Sequence, residues 1–195
     1  MACIPGREKE FRNHFIVALE SAIELGCSQI HVLAGIAPKE VLTTKLLETY
    51  QNNLLWAAQE AKSTSIKILL EPINTRDMPG YFLNYQAQAH DVVKSIGMDN
   101  VRVQMDLYHC QIMEGDLAMK IRNYLPTGLV SHLQIAGVPE RFEPNIGEIQ
   151  YPYLFSLLES LDYQGYIGCE YRPSRGKTKD STSLGLNWLR NLTHG

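Results

Sequence analysis

The sequence has no long apolar run. Nothing in its 195 residues approaches the ~20 consecutive apolar residues of a bilayer span, so no membrane is expected. Positive charge is not in surplus: 18 Lys and Arg against 21 Asp and Glu leave a net charge of −3. Nucleic acids and anionic membranes usually recruit a basic patch, and this balance argues against both as partners. Cysteines are few. Cys3, Cys27, Cys110 and Cys169 form no CxxC pair and are irregularly spaced. That speaks against a disulfide framework and for a reducing compartment, hence a cytoplasmic protein. Three of the four flank apolar segments, where a buried free thiol is expected. The N-terminal MACIPGREKEF has no apolar h-region and brings charge early, at Arg7, Glu8 and Lys9, unlike a secretory leader. No low-complexity linker divides the chain.

What is present is a β/α alternation. Phe11, Phe15, Ala18, Leu19, Ala22 and Ile23 recur at helical spacing over residues 8–25, closed by Gly26. SQIHVLAG (28–35) reads as a strand, and a long helix over about 40–64 leads to the strand SIKILLEPIN (65–74). A helix over 86–96 ends at Gly97, and VRVQMD (101–106) is the third strand. A helix over 112–124 stops at Pro126 and LVSHLQIAG (129–137) is the fourth strand. After a helix over 151–161 comes the fifth strand, YIGCEY (166–171), and a last helix over 182–192. Alternating units imply parallel strands with right-handed crossovers. The strands are almost continuously apolar, as when both faces are covered. Five βα units suit an open sheet or most of an eight-unit barrel. The longest irregular stretches, 72–85, 136–150 and 171–181, all follow strands, on the side where α/β proteins build sites.

Four strands end on an oxygen donor: Glu71 after KILL, Asp106 in VQMD, Gln134 in SHLQ and Glu170 in GCE. A single acidic residue there commonly caps the next loop. Four in register, about one βα unit apart, are harder to explain that way, because a charge at such a position must be paired, hydrated or metal-bound. Three carboxylates and an amide form an all-oxygen set, which suits Mg²⁺ or Mn²⁺ better than Zn²⁺. His109, three residues past Asp106, reads as a loop residue. Arg141 alone reads as a solvated loop residue. His31 and His132 lie inside strands; His132 shares a face with Gln134, and it either lines the same interior or sits in the core.

The segments LLEPIN (69–74), VQMDLYH (103–109), HLQIAGVPER (132–141) and GCEYRP (168–173) resemble the hydroxypyruvate isomerases, of the xylose isomerase-like TIM-barrel group. The resemblance runs from PGREKEF to NWLR. It implies an α/β fold, a partial TIM (β/α)8 barrel made of strands four to eight, as one domain over 1–195 truncated at its N-terminus, since IPGREKEF matches the segment after the third barrel strand. It also implies a small-molecule substrate and the interconversion of hydroxypyruvate and 2-hydroxy-3-oxopropanoate. By motif, Glu71 and Glu170 correspond to the acid/base pair, and Glu71, Asp106, Gln134 and Glu170 to the divalent-metal set. His109 and Arg141 correspond to substrate-binding groups.

The chemistry is consistent with that expectation. Moving a carbonyl to the adjacent carbon removes one proton and returns another through an enediolate. Carboxylates on either side of a small substrate can do both. The missing strands leave three outcomes open: a fragment or alternative product of a longer gene, a chain that curls enough to keep its site, or a homo-oligomer whose copies complete each other. Two other functions compete: a ketose 3-epimerase or sugar isomerase with the same metal site, and a non-catalytic homologue acting as a binding module.

Overall fold

The computed structural model describes residues 1–192. The expected end of the domain, residues 193–195, lies outside them. Five strands, β1 (Gln29–His31), β2 (Lys67–Leu70), β3 (Val101–Asp106), β4 (Val130–Ile135) and β5 (Ile167–Cys169), form one parallel sheet in chain order. The sheet curls into a half-barrel, and β1 and β5 are its two edges. The expected partial barrel is therefore the observed architecture. Both edge strands are only three residues long, shorter than the apolar runs in the sequence.

The helices α1 (Glu8–Glu24), α2 (Thr43–Glu60), α3 (Gln86–Ile96), α5 (Leu117–Tyr124) and α6 (Tyr151–Ser160) coat the convex side. The period-two alternation of the strands explains what they cover. Ile68, Leu70, Val101 and Val103 face outward into a core with Phe11, Phe15, Leu46, Tyr50 and Leu54. Met105, Leu133 and Ile135 face a second core with Ile121, Leu154, Leu158 and Trp188. The intervening residues Glu71, Gln104, Asp106, His132 and Gln134 fall on the concave side. That face is polar, and it is where the site lies.

Four sequence expectations are corrected. The helix expected over 112–124 is two helices, α4 (Leu107–Met113) and α5. Gly115 and Asp116, at φ 65° and 49°, turn the chain between them. Helix α4 starts directly after β3 because Asp106 caps it, its Oδ1 accepting from the Tyr108 and His109 amides at 2.7 and 3.2 Å. His109 consequently sits in the first turn of a helix rather than in a loop. The last helix is likewise divided into α7 (Ser181–Gly185) and α8 (Asn187–Leu192). All four cysteines are free, and two of them, Cys27 and Cys169, are exposed rather than buried.

Leu133 is fully buried beneath α6. Leu133→Ala is expected to cost about 2–5 kcal/mol in chemical denaturation. A loss below ~1 kcal/mol would show that the second core does not hold β4.

Candidate active site

The C-terminal edge of the sheet carries the four expected oxygen donors. Glu71 follows β2, Asp106 ends β3, Gln134 lies in β4 and Glu170 follows β5. Asp106 pairs in register with Gln134, and Gln134 with Gly168. A side chain at Gly168 would start 3.0 Å from His132 Nε2 and 3.2 Å from Gln134 Cγ, so glycine leaves the room these two residues occupy.

The four are not equivalent. Glu71 and Asp106 are buried, with side chains 4% and 0% exposed. Together with His109, 3% exposed, they place ligand atoms within 4.8 Å of one another. Glu71 Oε1 and Asp106 Oδ2 have no hydrogen-bond partner. Two buried carboxylate oxygens left bare side by side fit a divalent cation, since an unpaired buried charge is otherwise costly. Gln134 Oε1 accepts a 2.5 Å bond from Gln104 Nε2; the second lone pair of that amide oxygen is not used by this bond. Glu170 is 51% exposed and ion-paired with Arg141 at 2.8 Å. It stands outside the tight cluster, yet its charge bears on both Glu71 and Asp106.

His109 is oriented by its neighbours. Its Nδ1 accepts from the Asn74 backbone amide at 3.3 Å and lies 2.6 Å from Asn74 Nδ2. The Asn74 amide orientation follows from its Oδ1, which accepts from the Asp77 amide at 2.7 Å. With Nδ1 accepting, the proton of the neutral ring belongs on Nε2, which lies 3.9 Å from Asp106 Oδ2. The ring thus presents a donor toward the cluster, suited to a substrate oxygen more than to a metal.

Arg141 sits on the loop after β4 with φ 60°, a backbone region that non-glycine residues rarely occupy. Its guanidinium lies 4.9 Å over the Tyr108 ring and 3.7 Å from Asp77 Oδ2, and Nε donates to the Glu170 carbonyl at 3.3 Å. Tyr108 in turn donates to Asp77 at 2.8 Å and accepts from Arg76 at 3.3 Å. Burial acts to raise the Asp77 carboxyl, but the bonds from Tyr108 and Asn74 hold it low. Asn74, Asp77, Gln104 and Tyr108 were not singled out from the sequence. Gln104 had a legible signal, since it shares a face with Asp106. The others are joined by contacts between distant loops.

Burial sets the protonation pattern. It raises Glu71 from 4.5 to about 8, with the charge of Asp106 adding and the Gln104 amide opposing. Burial also raises Asp106 to about 6, against the pull of the His109 backbone amide. It lowers His109 to about 3, helped by Arg141, and His31 to about 4, helped by His132.

Residues 2–192 match the family model described as xylose isomerase-like TIM barrel. The chain is 49% identical over 190 residues to a 2-oxo-tetronate isomerase of Cupriavidus necator, spanning 97% of this chain and 70% of that protein. It is 40% identical over 189 residues to the hydroxypyruvate isomerase of Escherichia coli, again spanning 97% and 70%. A crystal structure from Brucella melitensis, titled AP endonuclease, family 2, superposes with a TM-score of 0.89 at 44% identity, covering 98% of this chain and 71% of that one. A D-psicose 3-epimerase from Clostridium cellulolyticum shares the fold at a TM-score of 0.82 and 19% identity.

The raised Glu71 carboxyl makes stability depend on pH. The folded state keeps a proton that the unfolded chain loses above pH 4.5, so this contribution is complete below 4.5 and lost as pH rises through about 8. Asp106 acts with the same sign between 3.8 and about 6. The lowered His109 and His31 act oppositely and only below 6.5. In the window from pH 6.5 to 8 the Glu71 carboxyl is opposed by the half-buried Met1 ammonium, which burial lowers from 8.0, so the difference between wild type and Glu71→Gln reads Glu71. In chelator-treated protein, unfolding free energy of the wild type is expected to fall there, relative to that of Glu71→Gln, by on the order of 1–2 kcal/mol. An equal slope in that variant would contradict the assignment.

Proposed function

The chain belongs to the xylose isomerase-like TIM-barrel family, and within it we propose an isomerase of short hydroxylated 2-oxo acids, with hydroxypyruvate as substrate and 2-hydroxy-3-oxopropanoate as product. The observation that carries this reading is a buried carboxyl, Glu71, and a half-exposed one, Glu170, at the same sheet edge, near enough for the charge of Glu170 to act on Glu71. The two relatives named above are isomerases by name, which supports the reaction class.

Glu71 and Glu170 are the proton-transfer pair. One removes the proton from the hydroxymethyl carbon of hydroxypyruvate, and the other returns a proton at the former carbonyl carbon; the reverse reaction exchanges the roles. The enediolate intermediate shares one negative charge between two adjacent oxygens, and the hydroxyl proton passes from the oxygen of the hydroxymethyl carbon to the former carbonyl oxygen, so that aldehyde and new hydroxyl form together. His109, through Nε2–H, donates to one of the two oxygens. Arg141 is the cationic group for the substrate carboxylate, its planar fork being matched to that geometry. Its present partners, Glu170 and Asp77, hold the guanidinium at the cleft.

Glu71 and Asp106 would hold a divalent cation, with Gln134 and Glu170 completing an oxygen set. When bound, such an ion supplies compensation for the buried carboxylates and for charge developing on the substrate oxygens. Oxygen ligation favours Mg²⁺ or Mn²⁺.

The acidic cluster and the net charge of −3 make the cleft a poor surface for a polyanion, which favours a small molecule over nucleic acid. Among the described residues, no helix is long and apolar enough to cross a membrane.

The test is exchange of substrate carbon-bound hydrogen for solvent deuterium. Wild type should exchange and isomerise hydroxypyruvate. Glu71→Gln and Glu170→Gln should each lose about 100-fold or more in rate. Retained exchange in either variant would remove that glutamate from the mechanism. A four-carbon 2-oxo acid and a ketose panel, run in parallel, separate this substrate from the neighbouring ones.

A further inference from the structure

The two oxygens of the Glu71 carboxyl stand in different surroundings. Oε2 lies 3.4 Å from Nε2 of His31, which projects from β1 on the adjoining strand. Oε1 has no partner. His31 Nε2 is itself buried and makes no hydrogen bond, so the Glu71 carboxyl at 3.4 Å is the acceptor within reach of it. The Gln104 amide gives one of its two protons to Gln134 Oε1, and it also favours the charged form of Glu71. The imidazole is the donor that faces the carboxyl from the β1 side, opposite the strand that carries Gln104.

The backbone fixes this arrangement. His31 pairs in register with Leu69, and the Val32 amide donates to the Leu69 carbonyl at 2.9 Å. The imidazole is thus delivered from a strand clamped to the strand that carries Glu71. A carboxyl beside the like-charged Asp106 would otherwise turn about its terminal bond, whose rotational profile is broad.

We propose that His31 is a positioning residue for Glu71: its Nε2–H holds Oε2 and leaves Oε1 turned to the substrate. The role rests on reading Glu71 as a proton-transfer residue. His31 does not itself exchange a proton with substrate. It fixes which oxygen does, as the partners that orient metal ligands do elsewhere.

Two substitutions separate this from a packing role. His31→Leu keeps a similar apolar body without a donor. His31→Gln places an amide N–H near the position of Nε2. His31→Leu should lower kcat for hydroxypyruvate about 10- to 100-fold with KM changed less than about 2-fold, and His31→Gln should recover most of the loss. Wild-type turnover in His31→Leu, or equal losses in two folded variants, would overturn the proposal. A second measurement needs no turnover. Nitrogen-15 NMR of the wild-type imidazoles should show His31 protonated at Nε2, and Glu71→Gln should shift that resonance. A His31 protonated at Nδ1 alone would refute the contact. If the wild type shows that contact but does not turn over hydroxypyruvate, the substrate assignment fails while the positioning of Glu71 stands.

Discussion

Burial of two carboxyls side by side, Glu71 and Asp106, is the constraint to which the rest of the site answers. Carboxylates removed from water cost several kcal/mol each unless compensated. Part of the compensation comes from the backbone. Asp106 spends Oδ1 on the first turn of α4, which uses a helix start to hold one oxygen of a buried acid. The other oxygen stays free, as does Glu71 Oε1. The protein keeps the remaining charge small by letting both groups retain protons well above their ordinary range. A cation finds an environment that already lacks one.

Around that pair the half-barrel supplies graded surroundings. Toward β5 the site opens: Glu170 is half-exposed and tied to Arg141, which also leans on Tyr108 and Asp77. Toward β1 it closes against His31. The curvature of five strands is enough for the charge of Glu170 to be felt at both buried acids, although its carboxylate stays outside their cluster. A flat parallel sheet would set the first and last of four strands roughly 14 Å apart at the usual spacing. Curling is therefore what makes one site from four strand ends.

Much of this was legible in the sequence, for a definite reason. Strands buried on their convex face advertise themselves as apolar runs, and a charge at the end of such a run, as at Glu71 or Asp106, has few explanations. The parallel order of the strands followed from the alternation with helices. Other features were not legible. In the sequence Asp106 reads as a ligand, while its work as a helix cap sets the start of α4 and places His109 in a helix. The break at Gly115 and Asp116 interrupts an apolar pattern that looked continuous. The contact of Asn74 with His109, and of Tyr108 with Asp77, depends on two loops meeting across the cleft, and no local periodicity encodes it. His31 was visible as a strand residue, but only the curled sheet brings its imidazole to Glu71.

The central claim is that Glu71 and Asp106 form an incomplete oxygen site rather than a merely buried acidic pair. Titration of Mn²⁺ into chelator-treated protein, followed by thermal denaturation, tests it most directly. One ion should bind per chain, and at 100 times its dissociation constant it should add about 2.7 kcal/mol of stability. Asp106→Asn keeps an oxygen for the α4 cap but loses the charge, and should abolish the effect. Absence of Mn²⁺ binding by the wild type, or the same binding by Asp106→Asn, would contradict the account.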